Sequence, residues 1–413
     1  MSAHAGSALA AVEAVAADGA GVVPDYDGGS IVNVPASILA AFGCQTPSAP
    51  LRHDLVDPAL LDAPGGVACL VVDALGSAQL QAGLDAGRAP HLQRLVDEVG
   101  PPGQLTSIFP STTTAALTSL ATAQPPAQHG ILGHVLWLEQ IQAACNALPF
   151  APVGRLQEAI DDDLLRCQPT IHERLKAAGV PSYAITASAY EGTAFTDLLQ
   201  RGSHFLGYHT QSQLPALLEQ ALIDAKPRGR PHISLYWPHI DTIAHTDGPD
   251  LPGFGSEGSA LELEFVDLMI GRLVDVCRRH HCALMITADH GQTLMDPERA
   301  CVMPPDLLAG LSHRPTGGRR AAYLTCEDPQ LLLDSTVAAA SSLLPMDAVV
   351  EAGWFGGELI PEFRSRIGDW LALANDGVQF LIDEGDGVFP LRGGHAGISP
   401  CEMQVPILVV PGT

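Results

Sequence analysis

Basic residues are scarce in this sequence, and their scarcity argues against one broad class of function. Only 21 lysines and arginines stand against 46 acidic residues in the 413-residue chain, so the formal net charge is -25 at neutral pH. Proteins that coat DNA or RNA neutralise the phosphates with clustered cationic side chains. We therefore expect no nucleic-acid polymer among the partners of this protein.

Long apolar runs are also missing. The longest, such as VACLVV at 67–72, fall far short of the roughly 18 residues that a membrane-spanning helix needs. The first lysine or arginine is Arg52, so the alanine-rich start lacks the positive region of a secretory signal. The nine cysteines are scattered and odd in number, which favours reduced thiols over a disulfide framework. We therefore expect a cytoplasmic protein with no membrane partner.

From residue 65 onward, the sequence alternates between strand-like and helix-like patterns. Four short apolar runs are typical of buried strands, namely GVACLVV, PSYAIT, HISLYW and CALMIT. The segments between them carry helical periodicity. This alternation favours an α/β fold with a mostly parallel sheet covered by helices on both faces. The run VPILVV near the C-terminus is predicted to add one more strand to that sheet.

Changes in composition divide the chain into three predicted regions. Residues 1–50, rich in Ala, Gly and Pro, form a predicted N-terminal extension in which ASILAAFG is a candidate helix. Residues 51–295 together with 381–413 form the main α/β domain. Residues 296–380 carry Pro-rich turns, a strand pattern in RRAAYLT and a helix pattern over DPQLLLDSTVAAASSLL, which predicts a smaller inserted domain.

Chemically capable side chains follow the predicted strands. Asp73 comes directly after CLVV, and Asp289 and His290 end the strand pattern of MITADHG. Ligands of open parallel sheets gather outside the carboxyl ends of the strands, so these side chains are candidates for one shared site. For Asp73 taken on its own, the alternative is a cap of the turn that follows it.

Two further segments supply metal-ligand types. Asp241 and His245 are four residues apart in WPHIDTIAHTDGPD, a spacing that places both on one helix face. The alternative is a loop histidine paired with a carboxylate. His395 lies among the glycines of LRGGHAGIS. Taken together, three carboxylates and three imidazoles suit two zinc-like ions that each keep an open coordination position.

The segment SIFPSTTTAALTSLAT places a run of hydroxyl residues at the start of a predicted helix. Hydroxyls and free backbone N–H groups at a helix N-terminus are suited to hold a phosphate group. One of the hydroxyls could act as a nucleophile. The alternative is that Thr112, Thr113 or Thr114 simply caps the helix.

The order of these motifs, which is Asp73, FPSTT, DxxxH, ADHG and GGH, resembles that of the alkaline phosphatase superfamily. The resemblance is to its branch of type I phosphodiesterases, nucleotide pyrophosphatases and phosphonoacetate hydrolases, and covers roughly residues 65–410. It implies an alkaline-phosphatase-like three-layer α/β/α sandwich with a smaller inserted cap domain.

The resemblance also implies a role for each motif residue. In that family the nucleophile lies three residues after the proline of the FP motif, which implies Thr113 as the catalytic residue here. Two divalent ions, zinc by preference and manganese or iron as alternatives, are implied as cofactors. One ion would take Asp73, Asp289, His290 and Thr113, and the other would take Asp241, His245 and His395.

The sequence departs from the family pattern beside the nucleophile. Nucleotide pyrophosphatases usually continue into PNH or PNN, whereas this chain continues as Thr114, Ala115 and Ala116. An asparagine that helps to bind the phosphoryl oxygen in several relatives is replaced by His134. We predict Thr114 and His134 as substrate-binding residues. For His134 the alternative is a structural role at the helix–loop junction.

The expected function is metal-dependent hydrolysis of phosphodiester or pyrophosphate bonds in a small anionic substrate, through a phosphothreonine intermediate. A carbon–phosphorus hydrolase similar to phosphonoacetate hydrolase and a phosphomonoesterase are the nearest alternatives. A protein that binds a ligand through metal ions without turning it over is the alternative from another class. The substrate, the native metal and the oligomeric state do not follow from the sequence.

Overall fold

Two seven-stranded sheets organise the chain. The computed structural model describes residues 2–155, 158, 160–165, 168–383, 385 and 387–412. The strands are β1 Val67–Val72, β2 Gly103–Thr106, β3 Val135–Leu138, β4 Ala143–Asn146, β5 Ala151–Pro152, β6 Ser182–Ala187, β7 His204–Tyr208, β8 His232–Trp237, β9 Ala283–Thr287, β10 Thr293–Leu294, β11 Cys301–Val302, β12 Thr316–Gly317, β13 Ala321–Leu324, β14 Ser341–Pro345, β15 Trp370–Ala374, β16 Phe380–Leu381, β17 Gly393–Gly394 and β18 Gln404–Val410.

Helices precede, connect and cover these strands. They are α1 Ser2–Val15, α2 Asn33–Ala41, α3 Ser77–Asp85, α4 Pro90–Val99, α5 Thr113–Thr122, α6 Pro126–His129, α7 Ile171–Ala177, α8 Ala194–Leu199, α9 Leu214–Ala225, α10 His239–Asp247, α11 Glu257–Arg279, α12 Pro305–Gly310, α13 Pro329–Leu333, α14 Thr336–Ala340, α15 Met346–Glu351 and α16 Pro400–Met403. No helix in the described part of the chain combines the length and the apolar character needed to cross a membrane.

The first sheet has the strand order β2-β18-β9-β1-β8-β6-β7 and is mostly parallel, as predicted. Its parallel part consists of β9, β1, β8, β6 and β7. Strand β18 runs antiparallel to both of its neighbours, β2 and β9. All six residues of β1 are buried, because helices cover both faces of a parallel sheet. VPILVV is confirmed as a strand of this sheet. Its antiparallel direction could not be predicted from its composition.

The second sheet is antiparallel and has the order β14-β15-β13-β12-β3-β4-β5. It combines strands from two distant segments of the chain, 135–152 and 316–374. The predicted boundaries of the inserted domain, 296 and 380, stay a prediction, and the sheet extends beyond them.

One predicted helix is wrong in its length. The segment DPQLLLDSTVAAASSLL forms the short helices α13 and α14 and then strand β14. Asp328 caps α13 by accepting a hydrogen bond from the backbone of Gln330. The last part becomes a strand because β14 pairs along its length with β15, and this tertiary contact overrides the helical periodicity.

Part of the predicted N-terminal extension is packed into the main core. Ile31, Val34 and Ile38 are almost completely buried, and α2 covers most of the candidate helix ASILAAFG. The backbone N–H of Ile31 donates to the carbonyl of Thr106, next to the first sheet.

The register of the first sheet aligns the ends of its central strands. Val72 at the end of β1 lies opposite Trp237 at the end of β8, and Val71 lies opposite Thr287 at the end of β9. The residues that follow these strands therefore meet at one edge of the sheet.

Candidate functional site

The first group of candidate ligands contains Asp73, Asp289 and His290. Asp73 directly follows β1, and Asp289 and His290 follow β9, so the sheet register brings them together. One ligand atom from each residue lies within 4.8 Å of those of the other two, and all three side chains are buried. His290 Nε2 lies 3.6 Å from Asp73 Oδ1 and 3.4 Å from Asp289 Oδ2.

The hydrogen bonds of this group leave lone pairs on one atom of each residue, and these three atoms face one another. His290 Nδ1 is 3.0 Å from the carbonyl oxygen of Gly291, which only accepts, so the ring proton is on Nδ1 and Nε2 carries a lone pair. Within the described residues, Asp73 Oδ1 and Asp289 Oδ2 are buried and have no hydrogen-bond partner. Unpaired buried acceptors are costly, and a divalent cation between them would satisfy all three atoms.

The pKa values of Asp73, Asp289 and His290 agree with a site that binds a cation. Burial and the neighbouring charges of Asp289 and Asp241 raise the pKa of Asp73 well above its ordinary value. Burial raises the pKa of Asp289 to about 6 and lowers the pKa of His290 to about 4. The imidazole is therefore neutral at pH 7, as a metal ligand must be.

The second group contains Asp241, His245 and His395. The first two lie four residues apart on α10, and His395 follows β17. His245 Nε2 lies 3.2 Å from Asp241 Oδ2, and His395 Nε2 lies 3.7 Å from Asp241 Oδ1. His245 Nδ1 and His395 Nδ1 each lie 2.8 Å from a backbone carbonyl oxygen, of Gly393 and Ser111 respectively. Both rings are therefore held at Nδ1 by the backbone and point Nε2 toward the carboxylate, the orientation that a metal site requires.

The two groups adjoin each other. The rings of His290 and His395 stack with their centroids 3.9 Å apart. Burial alone would raise the pKa of Asp241, but the hydrogen bond from His245 and the nearby imidazoles outweigh it and keep this pKa below its ordinary value. The arrangement fits two cations held next to each other by six side chains.

Thr113 directs its hydroxyl at the first group. It is the first residue of α5, and its Oγ1 lies 3.1 Å from His290 Nε2. Ser111 Oγ donates to the carbonyl of Gly397, and Thr114 Oγ1 donates to the carbonyl of Gly133. Of the adjacent hydroxyls, that of Thr113 is therefore the one that faces the candidate ligands.

The capping alternatives do not agree with the structure. Thr112 occupies the N-cap position of α5 without a side-chain capping bond. Asp73 Oδ2 accepts a hydrogen bond from the Tyr236 hydroxyl, and the N-cap of the following helix is Gly76. The Asp241–His245 pair lies in a helix and not in a loop.

The two predicted substrate-binding residues occupy different positions. Thr114 is buried, and its hydroxyl is engaged by Gly133, which leaves its backbone N–H at the start of α5 as its available polar group. The His134 side chain is exposed at the cavity that also contains Asp73, Thr113 and Asp241. Its backbone N–H donates to the carbonyl of Gly317 in β12, and its backbone carbonyl accepts from the N–H of Ala147 just after β4. Both substrate-binding roles stay predictions.

Comparison with known proteins decides the family. The profile of the type I phosphodiesterase / nucleotide pyrophosphatase family matches residues 67–396, which is most of the chain. The chain belongs to this family. The matched range contains all the residues of the two ligand groups and Thr113.

Relatives of the family show the same fold at low sequence identity. Murine ectonucleotide pyrophosphatase / phosphodiesterase 5 is 18% identical with a TM-score of 0.63, over 83% of this chain and 87% of that chain. Phosphonoacetate hydrolase from Sinorhizobium meliloti is 19% identical with a TM-score of 0.61, over 84% and 90%. An uncharacterized pyrophosphatase/phosphodiesterase of Schizosaccharomyces pombe is 27% identical over 132 residues, which span 30% of this chain and 26% of that protein.

Several residues that support the ligands were missed by reasoning from sequence. Tyr236 donates its hydroxyl to Asp73, and Gln292 Nε2 donates to Asp241 Oδ1 at 2.6 Å. Ser111 accepts the ring N–H of His395 at its carbonyl. Their positions in the sequence relative to the motif residues do not identify them as supporting residues. Tyr236 could have been suspected only from the sheet register, which places it opposite Val71 on the neighbouring strand.

Proposed function

We propose that this family member is a two-metal hydrolase that cleaves phosphodiester or pyrophosphate bonds in small substrates through a phosphothreonine intermediate on Thr113. The family and the fold support hydrolysis of a phosphodiester or pyrophosphate bond. The observation that carries the finer proposal is the position of Thr113 Oγ1, which lies 3.1 Å from His290 Nε2 at the start of α5.

Two sets of donors would hold the ions. Asp73, Asp289 and His290 would hold one, with Thr113 as an additional ligand, and the group of Asp241 would hold the other. Mixed imidazole and carboxylate donors favour zinc, and manganese and iron accept similar sets. When bound, two divalent ions supply positive charge that lowers the pKa of a hydroxyl and of water and balances the phosphoryl oxygens.

The chain's own groups define the two chemical steps. Thr113 Oγ loses its proton to solvent and forms a bond to phosphorus while the bond from phosphorus to the leaving oxygen breaks on the opposite side, and the leaving oxygen takes a proton from solvent. Backbone N–H groups in the first turn of α5 orient the remaining phosphoryl oxygens. Water then attacks phosphorus and releases a proton, the bond from phosphorus to Thr113 Oγ breaks, and this oxygen takes up a proton, which restores the hydroxyl.

The proposed partner is a small phosphate-containing molecule. An inactive variant of the murine relative is in complex with AMP, and the bacterial phosphonoacetate hydrolase is in complex with phosphonoformate. A chain with a net charge of -25 repels such anions at long range, so local positive charge at the ligand groups is required to bind them. The cytoplasmic location stays a prediction from the sequence.

A substrate panel tests the proposal. The protein is stripped of metal, restored with zinc, and assayed with 4-nitrophenyl phosphate, a methyl 4-nitrophenyl phosphodiester and a 4-nitrophenyl phosphonate ester. We expect the diester to be the best substrate, with turnover lost on stripping and regained with zinc. Activity that survives chelation would refute the metal dependence, and a preference for the monoester would indicate a phosphomonoesterase.

Variants of Thr113 test the intermediate. Thr113→Ala removes the nucleophilic oxygen and is expected to abolish diester turnover, whereas Thr113→Ser keeps the hydroxyl and should retain part of it. Turnover by Thr113→Ala equal to that of the unaltered protein would contradict the intermediate. If neither protein turns over any substrate but both bind phosphate in the presence of zinc, a binding protein without catalysis is the better description.

A carbon–phosphorus hydrolase is the second candidate, because a cavity of about 590 Å³ adjoins His245 and His395 of the second ligand group. Arg319, which lines it together with His134 and His395, would meet an acidic group on the leaving carbon. Cleavage of phosphonoacetate to phosphate and acetate, with the carbon taking a proton, would be detected by product analysis.

A further inference from the structure

Helix α11 exposes a row of apolar side chains to solvent. Leu261, Phe265 and Leu268 are 44%, 53% and 46% exposed. These three side chains, which we call the α11 stripe, are spaced four and three residues apart and so lie one above another on one side of the helix. Among the described residues ten large apolar side chains are exposed, and α11 carries three of them. Scattered apolar residues are normal on a surface, whereas a contiguous row indicates an interaction surface.

The pattern of the α11 stripe is that of a helix that packs against another helix. The exposed residues continue beyond Leu268 with the same alternating spacing, at Arg272, Asp275 and Arg279. Alternation of three- and four-residue steps is the heptad pattern by which two helices pack side by side. The other sides of α11 already contact α4, α9 and α10 within the chain. The stripe is therefore the side of α11 that a partner can cover.

The charged groups beside the stripe are unevenly paired along α11. In its N-terminal half, Glu257 and Glu264 share Arg88, at 3.2 and 3.1 Å. In its C-terminal half, Arg272 has no ion-pair partner among the described residues. The first half therefore has a carboxylate in excess, and the second has a free guanidinium. Two copies of α11 that lie antiparallel bring these opposite charges together, whereas parallel copies place like charges together.

We propose that the α11 stripe is a dimerisation surface that packs against the stripe of a second copy of this chain, with the two helices antiparallel. Such a pair is related by a two-fold axis, here between Phe265 and Leu268, so that each of these residues contacts the other across the interface. Arg272 then faces Leu261 of the second copy and covers it with its aliphatic stem. The guanidinium lies within about one helical turn of Glu257 of that copy.

The remaining charges are compatible with this pairing. Asp275 faces Gly258 of the second copy, in the first turn of its α11, where the helix dipole favours a carboxylate. The net charge of -25 on each copy opposes association at long range. At about 0.15 M salt the Debye length is about 8 Å, so this repulsion is largely screened, whereas groups in contact at the stripe still attract each other. We therefore expect dimers at this ionic strength.

Sedimentation equilibrium of the zinc-loaded full chain measures the association. At about 0.15 M salt and protein concentrations from about 1 to 100 μM, we expect the molar mass to rise from 43.2 kDa toward twice that value, because a narrow interface dissociates in the micromolar range. A molar mass of 43.2 kDa at every concentration would overturn the proposal. The measurement reports mass and not turnover, so its result is independent of the proposed function.

Two variants locate the interface. Phe265→Glu places a carboxylate at the centre of the proposed contact and should raise the dissociation constant at least about 30-fold, as expected for a central apolar residue. Leu333→Glu is the matched control, because Leu333 is 54% exposed on α13 and its replacement should leave the dimer unchanged. A Phe265→Glu protein that is folded by circular dichroism and dimerises like the control would show that a different surface pairs, and the proposal would be wrong.

A charge exchange tests the antiparallel orientation. Arg272→Glu sets carboxylates against each other across the interface and should raise the dissociation constant about tenfold. The double variant Arg272→Glu/Glu257→Arg places opposite charges there again and should recover most of this loss. If the double variant dissociates as readily as Arg272→Glu, the antiparallel pairing of α11 is refuted.

Discussion

Replacement of Arg320 by methionine should strongly destabilise the protein, because it leaves a buried carboxylate without its partner. Arg320 is 2% exposed and Glu402 is fully buried, and they form a two-point ion pair. Arg320 Nε donates to Glu402 Oε1 at 2.7 Å, and Nη2 donates to Oε2 at 3.1 Å. Glu402 also accepts the backbone N–H of Gly397 at 2.8 Å, which ties the pair to the loop that carries His395.

The expected loss follows from the burial of both groups. Removal of one partner of a buried ion pair costs about 3–5 kcal/mol, because the remaining charge is left uncompensated. Arg320 also donates to the carbonyls of Asn375 and Val378 at 3.2 and 2.8 Å, and both lose this donor. We therefore expect Arg320→Met to lower the free energy of unfolding by about 3–5 kcal/mol.

Urea unfolding of the zinc-loaded protein at neutral pH measures this loss. The matched control is Arg364→Met, whose ion pair with Asp347 is exposed, and which should cost less than about 1 kcal/mol. The double variant Arg320→Met/Glu402→Gln should lose less than the sum of the two single losses, because the buried charge is removed as well. A loss below about 1 kcal/mol for Arg320→Met, equal to that expected of the control, would refute the reasoning.

The same pair predicts a pH dependence with a defined sign. Burial alone would raise the pKa of Glu402, but the charge and hydrogen bonds of Arg320 outweigh it and keep the pKa below its ordinary value. A carboxylate whose pKa is depressed by folding contributes stability above its unfolded pKa of about 4.3, and this stability is lost as pH falls through the folded pKa. The stability difference between the unaltered protein and Arg320→Met should therefore shrink in acid. A difference that stays constant below that pH would contradict the assignment.

Two further predictions concern the residues that support the ligands and the ions themselves. Tyr236→Phe removes the hydroxyl that donates to Asp73 and should weaken zinc binding about 10- to 100-fold. Titration of the stripped protein with zinc measures this change. An unchanged affinity would show that the hydrogen bond does not orient Asp73. Zinc at 1,000 times its dissociation constant should add about 4 kcal/mol to the free energy of unfolding of the stripped protein, which is measured as a higher Tm. This gain should be smaller in His395→Ala. An equal gain would exclude His395 as a ligand.

The motif residues and their chemistry could be read from the sequence because they are strictly local. A carboxylate directly after an apolar strand, as at Asp73, and an i,i+4 pair, as at Asp241 and His245, are fixed by strand and helix geometry. The structure brings six of the predicted ligands into two groups. The alternatives for the hydroxyl run could not be separated, because the run is positioned by hydrogen bonds between Ser111 and the distant loop that holds His395.

Other features depended on contacts that the sequence does not display. The second sheet joins 135–152 to 316–374, and β14 is a strand because β15 lies beside it. Tyr236, Gln292 and the Arg320–Glu402 pair support the site from positions that no spacing rule connects.

The sequence by itself determined the main α/β architecture and the ligand types, since strand period, helix period and side-chain chemistry are properties of neighbouring residues. The tertiary structure alone decided which lone pairs converge, which hydroxyl faces them, and which side of α11 stays exposed. These depend on the register of the sheet and on packing between segments far apart in the chain, where small shifts in position decide whether two atoms meet.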